Sequence, residues 1–317
     1  MHTAIVTGSN GFIGKNLCQL LVSKGLHVYG ISRSSPSSDL SPEISTFTAN
    51  LANTSFNSFI PNFLTPDYVV HLAGGSSVGA SIADPLADFS NTVNSAYQLL
   101  EWVKSKCPKA RVILISSAAV YGNNYSVPVV ESSPRLPYSP YGLHKCMLED
   151  LGHFYTSQYD LDITVVRLFS VFGPFLRKQL IWDVCQKLLR AVDHKILLSG
   201  TGSEVRDWSH VDQVNTSIYR LFSCPNDVPP VINIASGISL TVQEFLHIIV
   251  TQWSHLTGNS ISVEFDGKSR PADPSCLAAD VTLANSLGMS YSTDLSRDVL
   301  QYIKWFLSVK YDGTLPD

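Results

Sequence analysis

The chain has 317 residues, a formal net charge of −4 and a hydrophobic content of 44%. This length allows one or two domains with a sizeable core, and the composition excludes a disordered chain. The acidic balance argues against a nucleic-acid partner, which would require a basic surface. Because we find neither a signal peptide nor an apolar run long enough to span a bilayer, we expect a cytoplasmic protein with no membrane partner.

The cysteines and histidines form no metal-binding pattern. The six cysteines are scattered without a CxxC pair, and the nine histidines contain no HExxH motif. The sequence therefore predicts free thiols in a reducing compartment and no metal site.

Short apolar runs alternate with helical patterns through the first half of the chain. Strands are predicted at 3–8, 27–32, 44–49, 67–74, 111–117, 162–173 and 231–236. Helices are predicted from Phe12 to Ser23, from about Asp88 to Lys106 and from Tyr141 to about Tyr159. This alternation requires a parallel sheet with right-handed crossovers, and so predicts an α/β, doubly wound Rossmann fold of about seven strands.

The alternation ends after Phe172. A helical pattern at 179–192 and a glycine-rich stretch follow, and the remaining elements are mixed. We therefore assign 1–173 plus about 205–235 to a dinucleotide-binding domain that contains the sheet. We assign about 174–204 plus 236–317 to a smaller C-terminal α/β domain.

A glycine-rich turn joins the first strand to the first helix. Gly8, Gly11 and Gly14 have the spacing that allows a tight turn, a close backbone approach to a pyrophosphate, and close packing of helix on sheet. The N-terminus of the following helix offers N–H groups and a positive dipole end to the phosphates. We predict a dinucleotide site at these glycines and at the other residues of the turn, which are Asn10, Phe12 and Ile13.

The end of the second strand bears on which dinucleotide is bound. An acidic residue at this position would bind the 2′-hydroxyl of NAD, but the chain has Ser32 followed by Arg33. A hydroxyl beside a guanidinium suits a 2′-phosphate, so the sequence favours NADP(H), with NAD(H) possible. Arg33 as a solvated loop residue is the alternative.

A tyrosine and a lysine lie one helical turn apart after the fifth strand. Tyr141 and Lys145 have i,i+4 spacing, which places both side chains on one helix face. We expect the ammonium to lower the pKa of the phenol, so that Tyr141 can transfer a proton near neutral pH. The fifth strand ends in Ser116 and Ser117, and ligands bind at the carboxyl ends of such strands.

Several motifs in this order resemble one known family. They are TGSNGFIG (7–14), HLAG (71–74), SSAAVYG (116–122), SPYGLHK (139–145), RLFSVFGP (167–174), RDWSHVD (206–212) and RPADP (270–274). Together they are similar to the extended short-chain dehydrogenase/reductases of the NAD-dependent epimerase/dehydratase family, which act on nucleotide sugars.

The resemblance implies a catalytic triad of Ser117, Tyr141 and Lys145. Ser117 would bind the sugar oxygen, Tyr141 would transfer the proton, and Lys145 would hold the nicotinamide ribose and tune Tyr141. It also implies further contacts with the cofactor, at Asn50, Leu51, Leu72, Ala73, Gly74 and Ser116. The implied contacts with a nucleotide-sugar substrate are Ser77, Ser117, Ser170, Lys178, Arg206 and Arg270.

Two positions depart from the family pattern. Ser170 replaces a frequent asparagine near the substrate phosphates, and Asn50 replaces an aspartate that usually meets the adenine. For Lys178, a solvated loop residue is an equal alternative.

The same resemblance leaves three functions open. The leading one is an NADP(H)-dependent reductase of a nucleotide-diphosphate 4-keto-6-deoxy sugar, with Tyr141 as the general acid. The alternative is a nucleotide-sugar 4-epimerase with tightly bound NAD, and a remote third is a non-catalytic dinucleotide sensor. Ala118 and Ala119 stand where relatives that eliminate water have an Asp-Glu pair, which disfavours a dehydratase. The helices near 88–106 and 141–159 commonly pair in this family, so we expect a homodimer.

Overall fold

The computed structural model describes residues 2–35, 40–123, 125–191, 194–224, 228–268, 274–289, 291 and 294–311. The strands of the large sheet are β1 (Thr3–Thr7), β2 (His27–Ser32), β3 (Ser45–Thr48), β4 (Tyr68–His71), β5 (Arg111–Ser117), β6 (Ile163–Leu168) and β10 (Val231–Ile234). The helices around it are α1 (Phe12–Ser23), α2 (Val78–Ala83), α3 (Pro85–Phe89), α4 (Ser95–Lys106), α5 (Pro140–Tyr159), α7 (Val211–Ser223) and α9 (Thr282–Ser286).

The seven strands form one parallel sheet in the order β10-β6-β5-β4-β1-β2-β3. The order reverses between β1 and β4, as in doubly wound folds, and this is where the carboxyl ends of strands leave a crevice for a ligand. The predicted fold class is confirmed.

Helices cover both faces of the sheet. On one face, apolar residues of α1 and α7 pack against the strands, with Leu17, Leu21 and Ile218 completely buried. On the other face, α4 and α5 bury side chains that include Leu99 and Leu148. The inner strands β4, β5 and β6 are largely apolar because both of their faces are covered.

A smaller lobe contains the remaining elements. These are β7 (Ser170–Phe172), α6 (Gln179–Leu189), β8 (Lys195–Leu198), β9 (Val205–His210), β11 (Ser239–Thr241), α8 (Val242–Thr257), β12 (Ser262–Phe265), β13 (Cys276–Leu277) and α10 (Leu295–Tyr311). Strands β7, β9, β11 and β13 form a second sheet, and β8 pairs with β12. A separate apolar core, centred on α6, α8 and α10, stabilises this lobe.

Sheet membership differs from the sequence prediction at two places. The predicted strand 162–173 is two strands, because the chain turns at Phe169 and β7 leaves the large sheet to pair with β9. Within 205–235, only β10 joins the large sheet, whereas Val205–His210 belongs to the second sheet. An apolar run has the same appearance in either sheet, so the pattern could not separate them. The division into two domains stays a prediction.

The predicted helix from Asp88 to Lys106 is interrupted. Between α3 and α4 the backbone makes a π-helical turn at Ser90–Asn94. A π turn inserts an extra residue and so changes which side chains face the sheet edge, and such turns are frequent at functional sites. Among the described residues, no helix combines the length and the apolar character needed to cross a membrane.

Candidate active site

A cleft of about 1620 Å³ lies at the carboxyl ends of the large sheet and extends to the smaller lobe. The predicted site residues that line it are Gly8, Asn10, Gly11, Phe12, Ile13, Gly14, Ser32, Arg33, Asn50, Leu51, Leu72, Ala73, Gly74, Ser77, Ser116, Ser117, Tyr141, Lys145, Ser170, Lys178 and Arg206. Arg270, which was also predicted, lies outside the described residues. The tertiary structure therefore brings every described candidate to one cavity, and their individual roles stay predictions.

The turn between β1 and α1 requires glycine at two positions. Gly8 has φ +69°, a conformation that side chains with a Cβ rarely adopt. A Cβ at Gly14 would lie only 2.2 Å from the carbonyl oxygen of Gly8, so a larger residue would push α1 away from the turn. Gly11 is the N-cap of α1 and provides no side-chain cap, which leaves its first turn suited to binding an anion.

The loop after β2 closes over this turn. The Asn10 side chain donates to the Ser34 hydroxyl (2.9 Å) and to the Ser35 carbonyl (3.0 Å). The Ser32 hydroxyl donates to the Ser34 carbonyl at 2.7 Å, and the Arg33 guanidinium donates to Asn91 Oδ1 at 3.3 Å. Ser32 and Arg33, which were predicted to select NADP(H), thus line the cleft and also hold the loop after β2 in place.

The segments after β3 and β4 form the neighbouring wall. Asn50 Oδ1 accepts a hydrogen bond from the Ala52 N–H at 3.2 Å, and Leu51 is buried. After β4, the N–H of Ala73 donates to the Thr7 hydroxyl at 3.1 Å, which ties this loop to β1. These bonds fix the backbone of the predicted cofactor wall.

The N-terminus of α5 positions the predicted triad. Ser139 caps the helix by accepting from the Gly142 N–H at 3.2 Å, and Pro140 occupies the first turn, where its missing N–H costs nothing. The N–H of Tyr141 donates to the buried Ser81 hydroxyl at 3.0 Å. This start places the phenol at the carboxyl end of β5.

Ser117, Tyr141 and Lys145 meet in the cleft. Ser117, the last residue of β5, hydrogen-bonds to the Tyr141 phenol. The Lys145 ammonium lies 5.9 Å from the centre of the Tyr141 ring and donates to the Ile115 carbonyl at 2.9 Å. Three groups that can form hydrogen bonds, two of them titratable, therefore lie close together.

Burial controls the two pKa values. It lowers the pKa of Lys145 to about 8, although the carboxylates of Asp88 and Glu149 oppose the change. It raises the pKa of Tyr141, against the hydrogen bond from Ser117. The expectation that Lys145 lowers the pKa of Tyr141 is therefore not met, because desolvation of the phenolate is the larger effect.

A buried ion network lies beneath these three groups. Arg167 on β6 binds both carboxylate oxygens of Glu149, at 2.9 and 2.7 Å. Ser116 was predicted to contact the cofactor, and its hydroxyl donates to the same Glu149 carboxylate at 2.6 Å. Because Glu149 is on α5, one turn beyond Lys145, the network locks α5 against strands β5 and β6.

The substrate candidates lie across the cleft. Lys178 Nζ donates to the carbonyl and hydroxyl oxygens of Ser76, at 3.0 and 2.7 Å, and burial lowers the pKa of its ammonium. The Arg206 guanidinium donates to the Val205 carbonyl at 2.7 Å. The Ser77 hydroxyl caps α2 by accepting from the Ala80 N–H at 3.3 Å.

Sequence reasoning missed other residues of the cleft. Lys187 and Arg190 line its far end, together with Lys195 from β8. Their i,i+3 spacing at the end of α6 could have suggested a cationic wall. Asn91 and Ser95 also line the cleft. A sequence pattern gives no sign of the π turn beside them.

Comparisons with known proteins give one family. The model of the NAD dependent epimerase/dehydratase family matches residues 4–235. A putative UDP-glucose 4-epimerase of Methanocaldococcus jannaschii is 25% identical over 307 residues, which cover 95% of this chain and 97% of that protein.

Solved structures resemble the chain over nearly their whole length. A UDP-glucuronic acid 4-epimerase from Bacillus cereus, in complex with UDP-glucuronic acid and NAD, has a TM-score of 0.83 at 26% identity, covering 97% of this chain and 99% of its own. TunA, an NAD-dependent NDP-hexosamine 5,6-dehydratase of tunicamycin biosynthesis, has a TM-score of 0.84 at 25% identity, covering 97% and 98%.

Proposed function

Because the chain belongs to the NAD dependent epimerase/dehydratase family, we propose that it is a sugar-nucleotide 4-epimerase that uses NAD. The single observation that carries this proposal is the meeting of Ser117, Tyr141 and Lys145 in the cleft that also contains the Gly8–Gly14 turn. Proton-transfer groups and a dinucleotide cradle then face the same bound sugar.

The residues at the β1–α1 turn fit a dinucleotide. Gly8 and Gly14 keep the backbone close enough that an added Cβ at Gly14 would fill the cradle, and the uncapped first turn of α1 suits a pyrophosphate. The wall formed by Asn50, Leu51 and Leu72 suits the adenosine. A bound NAD would supply the hydride chemistry at the sugar carbon.

The chain's own residues would move the proton. Tyr141 would take the proton of the sugar 4-hydroxyl and would later return a proton to the same oxygen. Ser117 hydrogen-bonds to the same oxygen and to the phenol. Lys145 brings a positive charge to this point, which favours the phenolate that burial disfavours.

The rest of the cleft would hold the nucleotide sugar. We propose that Arg206, Lys178 and Arg270 bind the diphosphate, since guanidinium and ammonium groups suit phosphate oxygens. Ser77 and Ser170 would provide hydrogen bonds to the sugar and its phosphates. Similarity to a putative UDP-glucose 4-epimerase and to a UDP-glucuronic acid 4-epimerase makes UDP sugars the first substrates to test.

The epimerase replaces the reductase as the leading function. Relatives named as 4-epimerases are similar over almost the whole chain. The reductase was favoured by the triad without elimination residues, which an epimerase shares, and by Ser32 and Arg33. Arg33 is engaged with Asn91, and the B. cereus epimerase was solved with NAD, so we favour NAD over NADP. Ala118 and Ala119 stand at the positions of the Asp-Glu pair that a dehydratase uses to eliminate water, and they therefore argue against that reaction.

The experiment measures turnover without added cofactor. Purified protein is incubated with UDP-glucose, UDP-galactose, UDP-glucuronic acid and UDP-N-acetylglucosamine, and the products are separated by chromatography. An epimerase interconverts two sugars and releases NAD on denaturation. A requirement for stoichiometric NADPH with a 4-keto sugar would instead identify the reductase.

We also propose a homodimer. The helices that were predicted to pair carry exposed apolar side chains at Tyr97, Leu143, Phe154 and Tyr159. The preceding helices α2 and α3 add exposed Ile82 and Leu86. Burying such a surface in a second copy would remove it from water. Light scattering at micromolar concentration measures the mass, and Phe154→Glu should give a monomer if this surface is the interface.

A further inference from the structure

An acid–imidazole pair is buried directly behind the Tyr141–Lys145 face. The Asp88 carboxylate on α3 bonds to His144 Nδ1 on α5 at 2.6 Å. Only 7% of Asp88 and 6% of His144 are exposed. A buried carboxylate is costly without a partner, and His144 supplies that partner.

The backbone of the cofactor wall makes room for this pair. A Cβ at Gly75 would lie 1.8 Å from Asp88 Oδ1, and a Cβ at Gly74 would lie 3.5 Å from Lys145 Nζ. The carboxylate and the ammonium thus lie against consecutive glycines of the loop after β4. A residue larger than glycine at position 75 would displace the Asp88 carboxylate.

We propose that Asp88 and His144 are positioning residues: His144 holds the Asp88 carboxylate in place beside Gly75, and that carboxylate keeps the Lys145 ammonium charged. His144 directly precedes Lys145, so the same contact fixes the first turns of α5 against α3. The kinetic part of this inference rests on the proposed function, whereas the charge of Lys145 does not.

The other groups around Lys145 leave this role to Asp88. Glu149 also favours the ammonium, but its carboxylate is already bound by Arg167 and by Ser116. His71 on β4 is neutral, because burial and the Lys145 charge lower the pKa of its imidazole to about 3. Tyr141 experiences the Asp88 charge as well, which raises the pKa of the phenol.

The charge of Lys145 can be measured directly. In protein labelled with ¹³C-lysine, the Cε resonance of Lys145, assigned by its loss in Lys145→Arg, should titrate near pH 8. In Asp88→Asn, which keeps the shape and removes the charge, the midpoint should fall by about one pH unit. An unchanged midpoint overturns the proposal, whatever reaction the protein catalyses.

Two variants of His144 test how Asp88 is held. His144→Asn retains a donor near the Nδ1 position and should keep the wild-type midpoint. His144→Leu removes the donor, so the Asp88 carboxylate is no longer held beside Gly75. The midpoint should then fall as in Asp88→Asn, without adding to it in the double variant. A shift for His144→Asn equal to that for His144→Leu contradicts the proposal, and exposed His153→Gln on the same helix is the control.

Enzyme kinetics supply the second readout. Removing the Asp88 charge lowers the pKa of both Tyr141 and Lys145, so both limbs of the kcat–pH profile should move to lower pH in Asp88→Asn. A merely structural role would reduce kcat equally at every pH and leave both limbs in place, which would overturn the positioning role. If no variant epimerises any sugar while the Lys145 midpoint still falls, the proposed function fails and the positioning role stands.

Discussion

The β1–α1 turn and the smaller lobe contribute to the cleft in different ways. At the turn, backbone atoms define the surface. A Cβ at Gly14 would lie 2.2 Å from the Gly8 carbonyl oxygen, so there is no room for a side chain at this position. In the smaller lobe, the ends of long cationic side chains such as Lys187 and Arg206 define it. The proposed dinucleotide site is thus shaped by the backbone, whereas the proposed substrate side is shaped by side chains that can change singly.

The largest expected effect lies between these regions, at Tyr141. Tyr141→Phe removes the proton-transfer group and should lower kcat by about 10³-fold, while binding of the nucleotide sugar changes little. Steady-state kinetics and calorimetric titration measure the two quantities. Tyr159→Phe, exposed on the same helix, is the control. Full activity of Tyr141→Phe would show that Tyr141 is not the proton-transfer group.

The next largest effect tests whether NAD binding needs the close backbone packing at the β1–α1 turn. Gly14→Ala inserts a methyl group against Gly8 and should cost about 1–3 kcal/mol of stability and reduce the NAD that copurifies. Denaturant unfolding and chromatography of released NAD measure these changes. Gly79→Ala is the control, because its Cβ would meet nothing closer than 3.9 Å. Equal NAD content in both variants would contradict a backbone-defined site.

A smaller effect is expected at the cationic side chains of the smaller lobe. Arg206→Ala removes one charge-assisted contact with the diphosphate and should raise KM about tenfold, with a smaller change in kcat. Lys109→Ala serves as the control in the same assay, because Lys109 is exposed and does not line the cleft. A fall in kcat with unchanged KM would place Arg206 outside the substrate site.

The smallest effect concerns pH. Burial lowers the pKa of Lys145 to about 8. The Lys145 amine is therefore protonated well below that pH and loses its proton as the pH rises through 8. We expect kcat to fall by about half near pH 8 and further above it. A profile that stays flat to pH 9.5 would show that the charge of Lys145 is not needed for turnover.

The sequence could predict the sites that depend on local pattern. Gly8, Gly11 and Gly14 were visible because a fixed spacing lies between a strand and a helix, and Tyr141 and Lys145 because a helical turn relates them. The strand limits 27–32 and 111–117 agree with the structure because buried parallel strands are uninterrupted apolar runs. The resemblance then extended the cleft to Ser117 and Arg206.

What the sequence alone determined is the α/β fold and the two local motifs, because strand–helix periodicity and residue spacing are written along the chain. Only the tertiary structure decided that β7 and β9 leave the large sheet, that burial raises rather than lowers the pKa of Tyr141, and that Asp88 meets His144. Each of these depends on desolvation or contact between residues far apart in sequence, such as 88 and 144, and no local pattern encodes such a distance.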